Sequence, residues 1–299
     1  MSNTGMRDAG VVVVTHNALP WIERCLESVR GEEVVVVDNG SSDGSVDVVR
    51  EQLPEARVIE QENVGLAAGW NRGLEEVSGR YVLILNSDAW LTDGSLRRLV
   101  AFADEHPDAA IVGPRLLNPD GSLQRSVRGF PTLWRLATEY FFLRKLAPRS
   151  RGLNAFYAGG FDHQDVREAE FLMGACMLVR REAVDQVGPL DEAFFLFSEE
   201  TDWAYRFREA GWKVLFFPGA ECVHVGGASH GGRMFRENVR GHLRFLSKHR
   251  GDGYAERARK LLRAATRLRG LFFRGERGRM YREAADWLAS ARMPELLDR

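Results

Sequence analysis

The first 85 residues alternate between short apolar runs of β-branched residues and stretches that repeat apolar residues at helical spacing. Residues 11–15, 34–37, 57–59 and 81–85 have the length and composition of strands. Helical periodicity is found between them, at residues 19–29, 45–51 and 66–77. This alternation is typical of an α/β protein whose parallel sheet is covered by helices on both faces.

The sequence becomes polar wherever one of these strands is expected to end. Ligands of open α/β sheets bind beyond the carboxyl ends of the strands, so these points predict the ligand site. Four segments are of this kind: residues 15–17 (Thr-His-Asn), 38–44 (Asp-Asn-Gly-Ser-Ser-Asp-Gly), 62–65 (Glu-Asn-Val-Gly) and 86–88 (Asn-Ser-Asp).

Further along, the pattern predicts a strand at 109–114, a hairpin at 117–122, an amphipathic stretch at 133–146 and a long loop at 151–165 that is able to cover a site. A helix is expected at 199–210 and a strand at 214–217. Helices with leucine and phenylalanine stripes follow at 235–249, 254–273 and 279–292.

Charge divides the chain into two parts. The whole sequence of 299 residues has a formal net charge of −1, yet residues 233–299 contain about ten more basic than acidic side chains. We therefore predict an α/β domain over 1–230 and a basic helical extension over 231–299. No nucleic-acid partner is expected. Two interpretations of the extension stay open: a cap packed on the α/β domain, or a peripheral contact with anionic lipid.

The cysteines and the N-terminus indicate the compartment. Cys25, Cys176 and Cys222 are scattered, odd in number and without CxxC spacing, which argues against a disulfide framework and against a zinc site. Residues 1–10 are polar and precede no long apolar segment, so neither a secretory signal nor a membrane anchor is expected. The sequence predicts a cytoplasmic protein, with contact at the inner face of the membrane if the extension binds lipid.

Two aspartates at predicted strand ends are candidates for ligand binding. Asp38 can accept hydrogen bonds from a base or a ribose while the amides of the following turn face the ligand. Asp88 can bridge a hard divalent cation to a diphosphate. In the competing interpretation, Asp38 and Asp43 cap the turn and the next helix, and Asp88 is an ordinary turn residue.

The acidic start of the predicted helix at 199–210 supplies a candidate base. The apolar residues 194–197 precede it and would desolvate one of its carboxylates, raising the pKa toward the useful range. Acidic residues also simply suit a helix N-terminus. His224 precedes Gly226 and Gly227, which allow a ligand to approach closely, although a lone histidine is more often structural. Cys222 is interpreted as a small buried side chain.

Taken in order, these motifs resemble the family 2 glycosyltransferases, and among them the bacterial rhamnosyltransferase-like branch that acts on cell-surface polysaccharides. The resemblance spans roughly residues 11–229. It rests on Val-Val-Thr-His-Asn at 13–17, Val-Asp-Asn-Gly-Ser-Ser-Asp-Gly at 37–44, the segment 63–73, Leu-Asn-Ser-Asp-Ala at 85–89, the segment 174–180, the acidic helix and Val-His-Val-Gly-Gly at 223–227.

The resemblance implies a GT-A type nucleotide-diphospho-sugar transferase fold, an α/β architecture with a Rossmann-like mixed sheet. The resemblance implies that the nucleotide is bound by Thr15, Asn17 and Asp38, and that the rest of the donor is bound by Asn63, Gly65, Asn71, Asn86, Ser87 and Asp88. It implies that Mg2+ or Mn2+ is held by Asp88 and His224. It also implies that Glu200 is the catalytic base and that the acceptor is bound by Glu199, Asp202 and Trp203. Two positions depart from the family pattern, because Asn86 replaces an aspartate and Glu200 replaces the aspartate of a Glu-Asp pair.

The activity implied is inverting transfer of a sugar, with rhamnose from dTDP-rhamnose as the expected donor and a glycan or a lipid-linked glycan as the acceptor. A nucleotidyltransferase, a dinucleotide-dependent oxidoreductase and a silent nucleotide-sugar-binding protein are the alternatives. The first two are disfavoured because residues 15–20 (Thr-His-Asn-Ala-Leu-Pro) contain no glycine where a phosphate-binding loop belongs. Retention of Asp88, Glu200 and His224 together argues against a silent module.

Overall fold

The computed structural model describes residues 8–226, 232–290 and 292–298. Residues 227–231, which include Gly227 and Ser229 of the family motif, lie outside the described residues. The strands are β1 (Ala9–Thr15), β2 (Glu33–Asp38), β3 (Arg57–Glu60), β4 (Tyr81–Asn86), β5 (Ala89–Leu91), β6 (Ala109–Leu117), β7 (Leu123–Gln124), β8 (Val127–Arg128), β9 (Arg167–Glu168), β10 (Phe171–Leu172), β11 (Cys176–Arg180) and β12 (Lys213–His224).

The helices are α1 (Ile22–Ser28), α2 (Ser45–Gln52), α3 (Leu66–Glu76), α4 (Ser95–Glu105), α5 (Leu133–Tyr140), α6 (Arg181–Val187), α7 (Glu199–Glu209), α8 (Gly232–Arg250), α9 (Asp252–Phe272), α10 (Gly275–Ser290) and α11 (Met293–Leu297). Short 3-10 helices cover Leu143–Lys145 and Ala155–Tyr157. Among the described helices, none is long and apolar enough to cross a bilayer.

The chain forms two compact units. The first contains the residues up to 127 together with 163–195 and 202–226, and the second contains 128–162, 196–201 and the residues from 227 onward. The predicted boundary near residue 230 lies close to the start of the last segment. The segments 128–162 and 196–201, which the sequence assigned to the first domain, cluster with the C-terminal helices instead.

The first unit is built on one mixed sheet, with the strand order β3-β2-β1-β4-β11-β6-β12-β5. Strands β3, β2, β1 and β4 are parallel neighbours, as the alternation predicted. Beyond β4 the sheet is no longer wholly parallel, because β11 lies antiparallel to both β4 and β6. The mixed sheet implied by the family resemblance is confirmed.

The packing of α3 on β1 explains two glycines of the 63–73 motif. All seven residues of β1 are buried, as expected for a strand covered on both faces. A Cβ at Gly69 would lie 2.9 Å from a Val14 methyl group, and one at Gly73 would lie 2.2 Å from a Val12 methyl group. These glycines therefore let α3 lie directly against β1, with the segment that precedes the helix held near the strand ends.

In the second unit, α9 packs against α5, α8 and α10. The guanidinium of Arg269 on α9 donates to the carbonyl oxygens of Glu139 and Tyr140 at the end of α5, at 2.8 and 2.7 Å. Helix α5 ends at Tyr140, earlier than the amphipathic pattern to residue 146 suggested, and Phe142 just beyond has a φ of 59°. The predicted loop over 151–165 contains a 3-10 turn.

Candidate active site

The nucleotide end of the predicted site lies at the neighbouring carboxyl ends of β1 and β2, where Thr15 and Asp38 are paired in register. Both residues are buried. Asp38 Oδ2 accepts hydrogen bonds from the amides of Gly40 and Ser41, at 3.1 and 2.9 Å. Asp38 Oδ1 and Thr15 Oγ1 have no hydrogen-bond partner among the described residues. Buried polar atoms of this kind are normally satisfied by a ligand or by water.

Asn17 ties the loops after β1 and β2 together. Its side-chain oxygen accepts from the Ser42 amide at 2.8 Å, and its own amide donates to Ser41 Oγ at 2.9 Å. Asn17 has a φ of 53°, a left-handed conformation that asparagine tolerates better than most residues. Asp43 Oδ1 accepts from the amide and the hydroxyl of Ser45, the first residue of α2, although the N-cap residue of that helix is Gly44. For Asp38 the capping interpretation explains the hydrogen bonds of Oδ2 but leaves Oδ1 without a role.

The segment that opens α3 is held by its backbone. Asn39 Nδ2 donates to the Gly65 carbonyl oxygen at 2.9 Å, and Asn63 Oδ1 accepts from the Gly65 amide at 3.3 Å. Gly65 has a φ of 105°, and a Cβ there would lie 2.7 Å from the Phe195 carbonyl oxygen. Glycine is therefore required on both conformational and steric grounds, whereas donor contact by Asn63 or Gly65 stays a prediction.

Asn71 has a structural role that the motif did not suggest. Its side-chain oxygen accepts from the Leu190 amide, and its Nδ2 donates to the Leu190 carbonyl and to Glu192 Oε1, each at 2.9 Å. The side chain is buried, and its amide is used at both ends. In this structure Asn71 fastens the 190–192 loop to α3 instead of offering a free group to the donor.

The predicted metal ligands come together although 136 positions separate them. His224 ends β12 and pairs in register with Ala89, the first residue of β5. His224 Nε2 lies 3.4 Å from Asp88 Oδ1, and both side chains are largely buried. Asp88 Oδ2 accepts from the Gly226 amide at 3.3 Å. Asn86 is the last residue of β4, and Ser87 and Asp88 form the turn that leads to β5.

Gln124 determines which nitrogen of His224 carries the proton. Gln124 Nε2 donates to the His224 carbonyl at 3.1 Å and to Asn118 Oδ1 at 3.0 Å, so its Oε1 is the acceptor that faces His224 Nδ1 at 2.7 Å. The neutral ring is therefore protonated at Nδ1, which leaves a lone pair on Nε2. That lone pair faces a carboxylate oxygen, and two facing acceptors need a proton or a cation between them.

This donor set fits a divalent metal ion. A histidine nitrogen and a carboxylate oxygen are common ligands for Mn2+, and an outer hydrogen bond to the second ring nitrogen is the usual companion of a metal-bound histidine. Burial alone would raise the pKa of Asp88, but His224 and the Gly226 amide outweigh it and hold the pKa below its usual value. No set of three or more His, Cys, Asp or Glu ligands converges within the described residues, so a metal ion held by Asp88 and His224 would need diphosphate oxygens or water as further ligands.

The candidate base lies at the start of α7, in the second unit. Burial raises the pKa of Glu200 to about 7, although nearby backbone amides and the charge of Arg128 act in the opposite direction. Burial and the neighbouring Glu200 also raise the pKa of Glu199. One oxygen of each carboxylate has no hydrogen-bond partner among the described residues. Glu200 is the more exposed of the two, which suits a base that must reach a substrate.

Backbone strain precedes these carboxylates. Phe197 and Ser198 have φ values of 69° and 71°, a left-handed pair without glycine that costs on the order of 1–3 kcal/mol per residue. Gly241 on α8 makes room for this turn, since a Cβ there would lie 2.6 Å from the Phe197 carbonyl oxygen. The acidic pair is therefore positioned by a strained turn, a feature that clusters at functional sites.

Two of the predicted acceptor residues have packing roles instead. Asp202 is completely buried, and its Oδ2 accepts from Arg206 Nε at 2.9 Å. Trp203 is also completely buried, and its indole N–H donates to the Gly188 carbonyl at 2.9 Å. Neither side chain has an exposed surface in this structure, and an acceptor contact by Asp202 or Trp203 stays a prediction. Acceptor binding by Glu199 stays a prediction.

Solved structures of nucleotide-sugar enzymes share this fold. The mannosyltransferase PcManGT from Pyrobaculum calidifontis, in complex with GDP-Man and Mn2+, aligns with 98% of this chain and 78% of its own at 17% identity, with a TM-score of 0.56. S. aureus TarS 1-349 with UDP aligns with 93% of this chain and 79% of its own at 16% identity, with a TM-score of 0.52. This chain spans 43% of a longer TarS chain. The fold is that of the GT-A glycosyltransferases.

The family follows from the sequence. The profile of Glycosyl transferase family 2 matches residues 10–188. The N-acetylglucosaminyl-diphospho-decaprenol L-rhamnosyltransferase of Mycobacterium tuberculosis is 32% identical over 231 residues, which cover 72% of this chain and 75% of the relative. The chain belongs to glycosyl transferase family 2, and its activity is that of a glycosyltransferase. The glycosyltransferase prediction is confirmed over the nucleotidyltransferase and oxidoreductase alternatives.

Proposed function

We propose that this glycosyltransferase is metal-dependent and inverting, and that it transfers rhamnose from dTDP-rhamnose to a lipid-linked glycan in cell-surface polysaccharide synthesis. The observation that carries metal dependence is the 3.4 Å approach of His224 Nε2 to Asp88 Oδ1, with the ring tautomer fixed by Gln124. The donor and the acceptor class rest on the rhamnosyltransferase named among the relatives and on the Asn86-Ser87-Asp88 motif.

In the proposed mechanism, Glu200 removes the proton from an acceptor hydroxyl. A pKa of about 7 leaves a substantial fraction of Glu200 ionised at neutral pH and still basic enough to accept that proton. The hydroxyl oxygen attacks the anomeric carbon from the face opposite the diphosphate, so the anomeric configuration inverts. Asp38 Oδ1 and Thr15 Oγ1 are the buried acceptors available to the nucleoside.

Asp88 and His224 would hold Mg2+ or Mn2+, whose chemical contribution is to offset the charge that develops on the departing diphosphate. Gln124 places the proton of the neutral His224 ring on Nδ1, so that Nε2 is the nitrogen available as a ligand. The Gly226 amide orients Asp88 through Oδ2 and leaves Oδ1 directed at the histidine.

A transfer assay tests the proposal. Purified protein is given dTDP-rhamnose and a lipid-linked N-acetylglucosaminyl diphosphate, with Mn2+ or with EDTA, and the anomeric configuration of the product is determined by NMR. We expect Mn2+-dependent rhamnosyl transfer with inversion. Turnover of UDP-sugars with none of dTDP-rhamnose would overturn the donor, equal rates in EDTA would overturn the metal, and retention of configuration would overturn the role of Glu200.

The second unit supports the proposal of a peripheral membrane contact at the cytoplasmic face. Leu146, Leu271 and Phe272 are 78%, 76% and 77% exposed, and the last two are adjacent at the end of α9. Basic residues such as Arg267 and Arg274 flank the pair at the end of α9. Exposed apolar groups among cations gain both burial and attraction at an anionic lipid surface.

Vesicle co-sedimentation tests this contact. We expect binding to anionic but not to neutral vesicles, and release by salt because the charges are screened. Replacing Leu271 and Phe272 with serine should weaken the binding, whereas the same change at the exposed Leu19 of the first unit should not. Equal sedimentation with both kinds of vesicle, or with neither, would leave only the packing role for these helices.

A further inference from the structure

The second unit contains a cavity of about 370 Å³, within the range of small-ligand sites. Residues of α5, of both 3-10 helices and of α8, α9 and α10 form its wall. Six aromatic rings line it, together with the cations Arg144, Lys145, Arg269 and Arg277 and the single carboxylate Glu139. The wall thus combines positive charge with aromatic surface.

The cations of this cavity outnumber the acids available to neutralise them. Glu139 is already engaged, because its carboxylate accepts from Arg144. Among the described residues no carboxylate lies within ion-pair distance of Lys145, Arg269 or Arg277. Arg269 is 7% exposed and lies 4.0 Å from the Phe142 ring centroid. A buried guanidinium without a counter-ion favours the binding of an anion.

A buried histidine in the cavity wall also lacks a partner. His242 is 7% exposed, lines the cavity, and its Nδ1 has no hydrogen-bond partner among the described residues. Its ring lies edge-on to Phe156, with 5.8 Å between the centroids. An unsatisfied buried nitrogen indicates a polar ligand in the cavity, independently of the excess of cations.

Exposed apolar residues adjoin two of the cavity's cations along the chain. Lys145 immediately precedes Leu146, and Arg277 lies 4.5 Å from the ring of Phe273, which follows Leu271 and Phe272. An occupant that is anionic at one end and hydrocarbon at the other matches this arrangement. A free nucleotide does not, because it has no apolar portion to cover the exposed side chains.

We propose that this cavity binds the diphosphate of a lipid-linked acceptor, with the adjoining prenyl chain against its aromatic wall. The inference deepens the proposed function and rests on its lipid-linked acceptor. A stack links the cavity to the base: Arg128 and Arg144 lie 4.6 and 4.7 Å from the Tyr157 ring centroid, and the charge of Arg128 acts on Glu200. The diphosphate site and the base therefore belong to one unit of the protein.

Titration calorimetry with the full chain tests the site, with farnesyl diphosphate, inorganic pyrophosphate and farnesol as probes. We expect farnesyl diphosphate to bind more tightly than pyrophosphate, and farnesol not to bind. The paired change Lys145→Glu and Arg277→Glu should raise the Kd for farnesyl diphosphate by at least about tenfold, because each reversed charge removes a charge-assisted contact. Both side chains are exposed, so the fold should tolerate the change. Arg279→Glu, an exposed position of α10 outside the cavity wall, is the matched control.

The outcomes separate this inference from the proposed function. If the paired variant has a raised KM for the lipid-linked acceptor and unchanged hydrolysis of the nucleotide sugar, the site is supported. Unchanged binding of farnesyl diphosphate in that variant would overturn it, even if transfer is normal. Equal affinity for pyrophosphate and farnesyl diphosphate would overturn the lipid as the source of the diphosphate. If the paired variant loses farnesyl diphosphate binding but the wild type transfers no sugar, the proposed function is overturned and the site is supported.

Discussion

Replacing Gln124 with methionine removes the amide that fixes the tautomer of His224 while keeping a side chain of similar length. Three hydrogen bonds are lost: one from His224 Nδ1 at 2.7 Å, one to the His224 carbonyl at 3.1 Å and one to Asn118 at 3.0 Å. Without the acceptor at Nδ1, the ring is free to place its proton on Nε2 and to rotate. Either change removes the lone pair that faces Asp88.

The expected magnitude follows from the role of the amide. Loss of an outer partner of a metal ligand typically reduces metal affinity by about 10- to 100-fold. That range equals roughly 1.4–2.7 kcal/mol. This loss of metal-binding free energy is compatible with two or three lost hydrogen bonds of about 0.5–1.5 kcal/mol each. Only part of the energy of these hydrogen bonds contributes to metal binding. We therefore expect the Kd for Mn2+ in the presence of dTDP to rise by about 10- to 100-fold.

Electron paramagnetic resonance of free Mn2+ measures this affinity directly. Gln186→Met is the matched control, since Gln186 Oε1 also accepts a ring N–H at 2.7 Å, from Trp212, but lies outside the proposed metal site. The control should bind Mn2+ as the wild type does. An unchanged Kd in Gln124→Met would refute the argument that Gln124 prepares His224 for a metal ion.

Three further predictions concern the base, the carboxylate ligand and the helix that packs on β1. Glu200→Gln should lower kcat by about 10²- to 10⁴-fold without changing donor affinity. The kcat of the wild type should increase as the pH rises through 7, and a kcat that is constant from pH 5 to 9 would contradict the role of Glu200 as base. Asp88→Ala should weaken Mn2+-dependent donor binding in calorimetry, and an unchanged affinity would make Asp88 structural. Gly73→Ala should destabilise the protein by about 1–3 kcal/mol in urea unfolding, whereas Gly253→Ala, which meets nothing within 4 Å, should not.

The parallel half of the sheet was predictable because each of its strands is specified locally. The runs that became β1, β2 and β4 are continuous and apolar, and polar residues follow each of them. The position of β11 was not predictable in this way. Its five residues, Cys176–Arg180, pair with β4 and β6, and no local pattern specifies which distant strands a short apolar run joins or in which direction.

The site was predicted less evenly than the fold. Asp88 and His224 were named through the family resemblance, and the structure brings them together. Gln124 was missed because it lies in a short hairpin strand, where a glutamine reads as a surface residue. Trp203 matched the motif by position, yet burial against Gly188 and Phe207 gives it a packing role. The motifs therefore predicted that Asp88 and His224 meet, whereas spacing along the chain did not predict the neighbours, such as Gln124, that surround them.

Catalysis and stability should respond in opposite directions to Glu200→Gln. The pKa of Glu200 is raised from its ordinary value of 4.5 to about 7, so the folded protein binds this proton more tightly than the unfolded chain. The stability associated with that proton is complete below pH 4.5 and is lost as the pH rises through about 7. Glutamine has no charge to desolvate.

The variant should therefore gain thermal stability relative to the wild type at pH 8 and show a smaller difference at pH 5.5, while its transfer activity is low at both. Removing the Glu200 charge also relieves the neighbouring Glu199, which adds to the gain because that carboxyl is buried beside it. Melting temperatures of the two proteins across this pH range measure the effect. A variant that is less stable than the wild type at pH 8 would show that the Glu200 carboxylate contributes favourable contacts to the fold, and the interpretation of its raised pKa as the mark of a desolvated base would then be wrong.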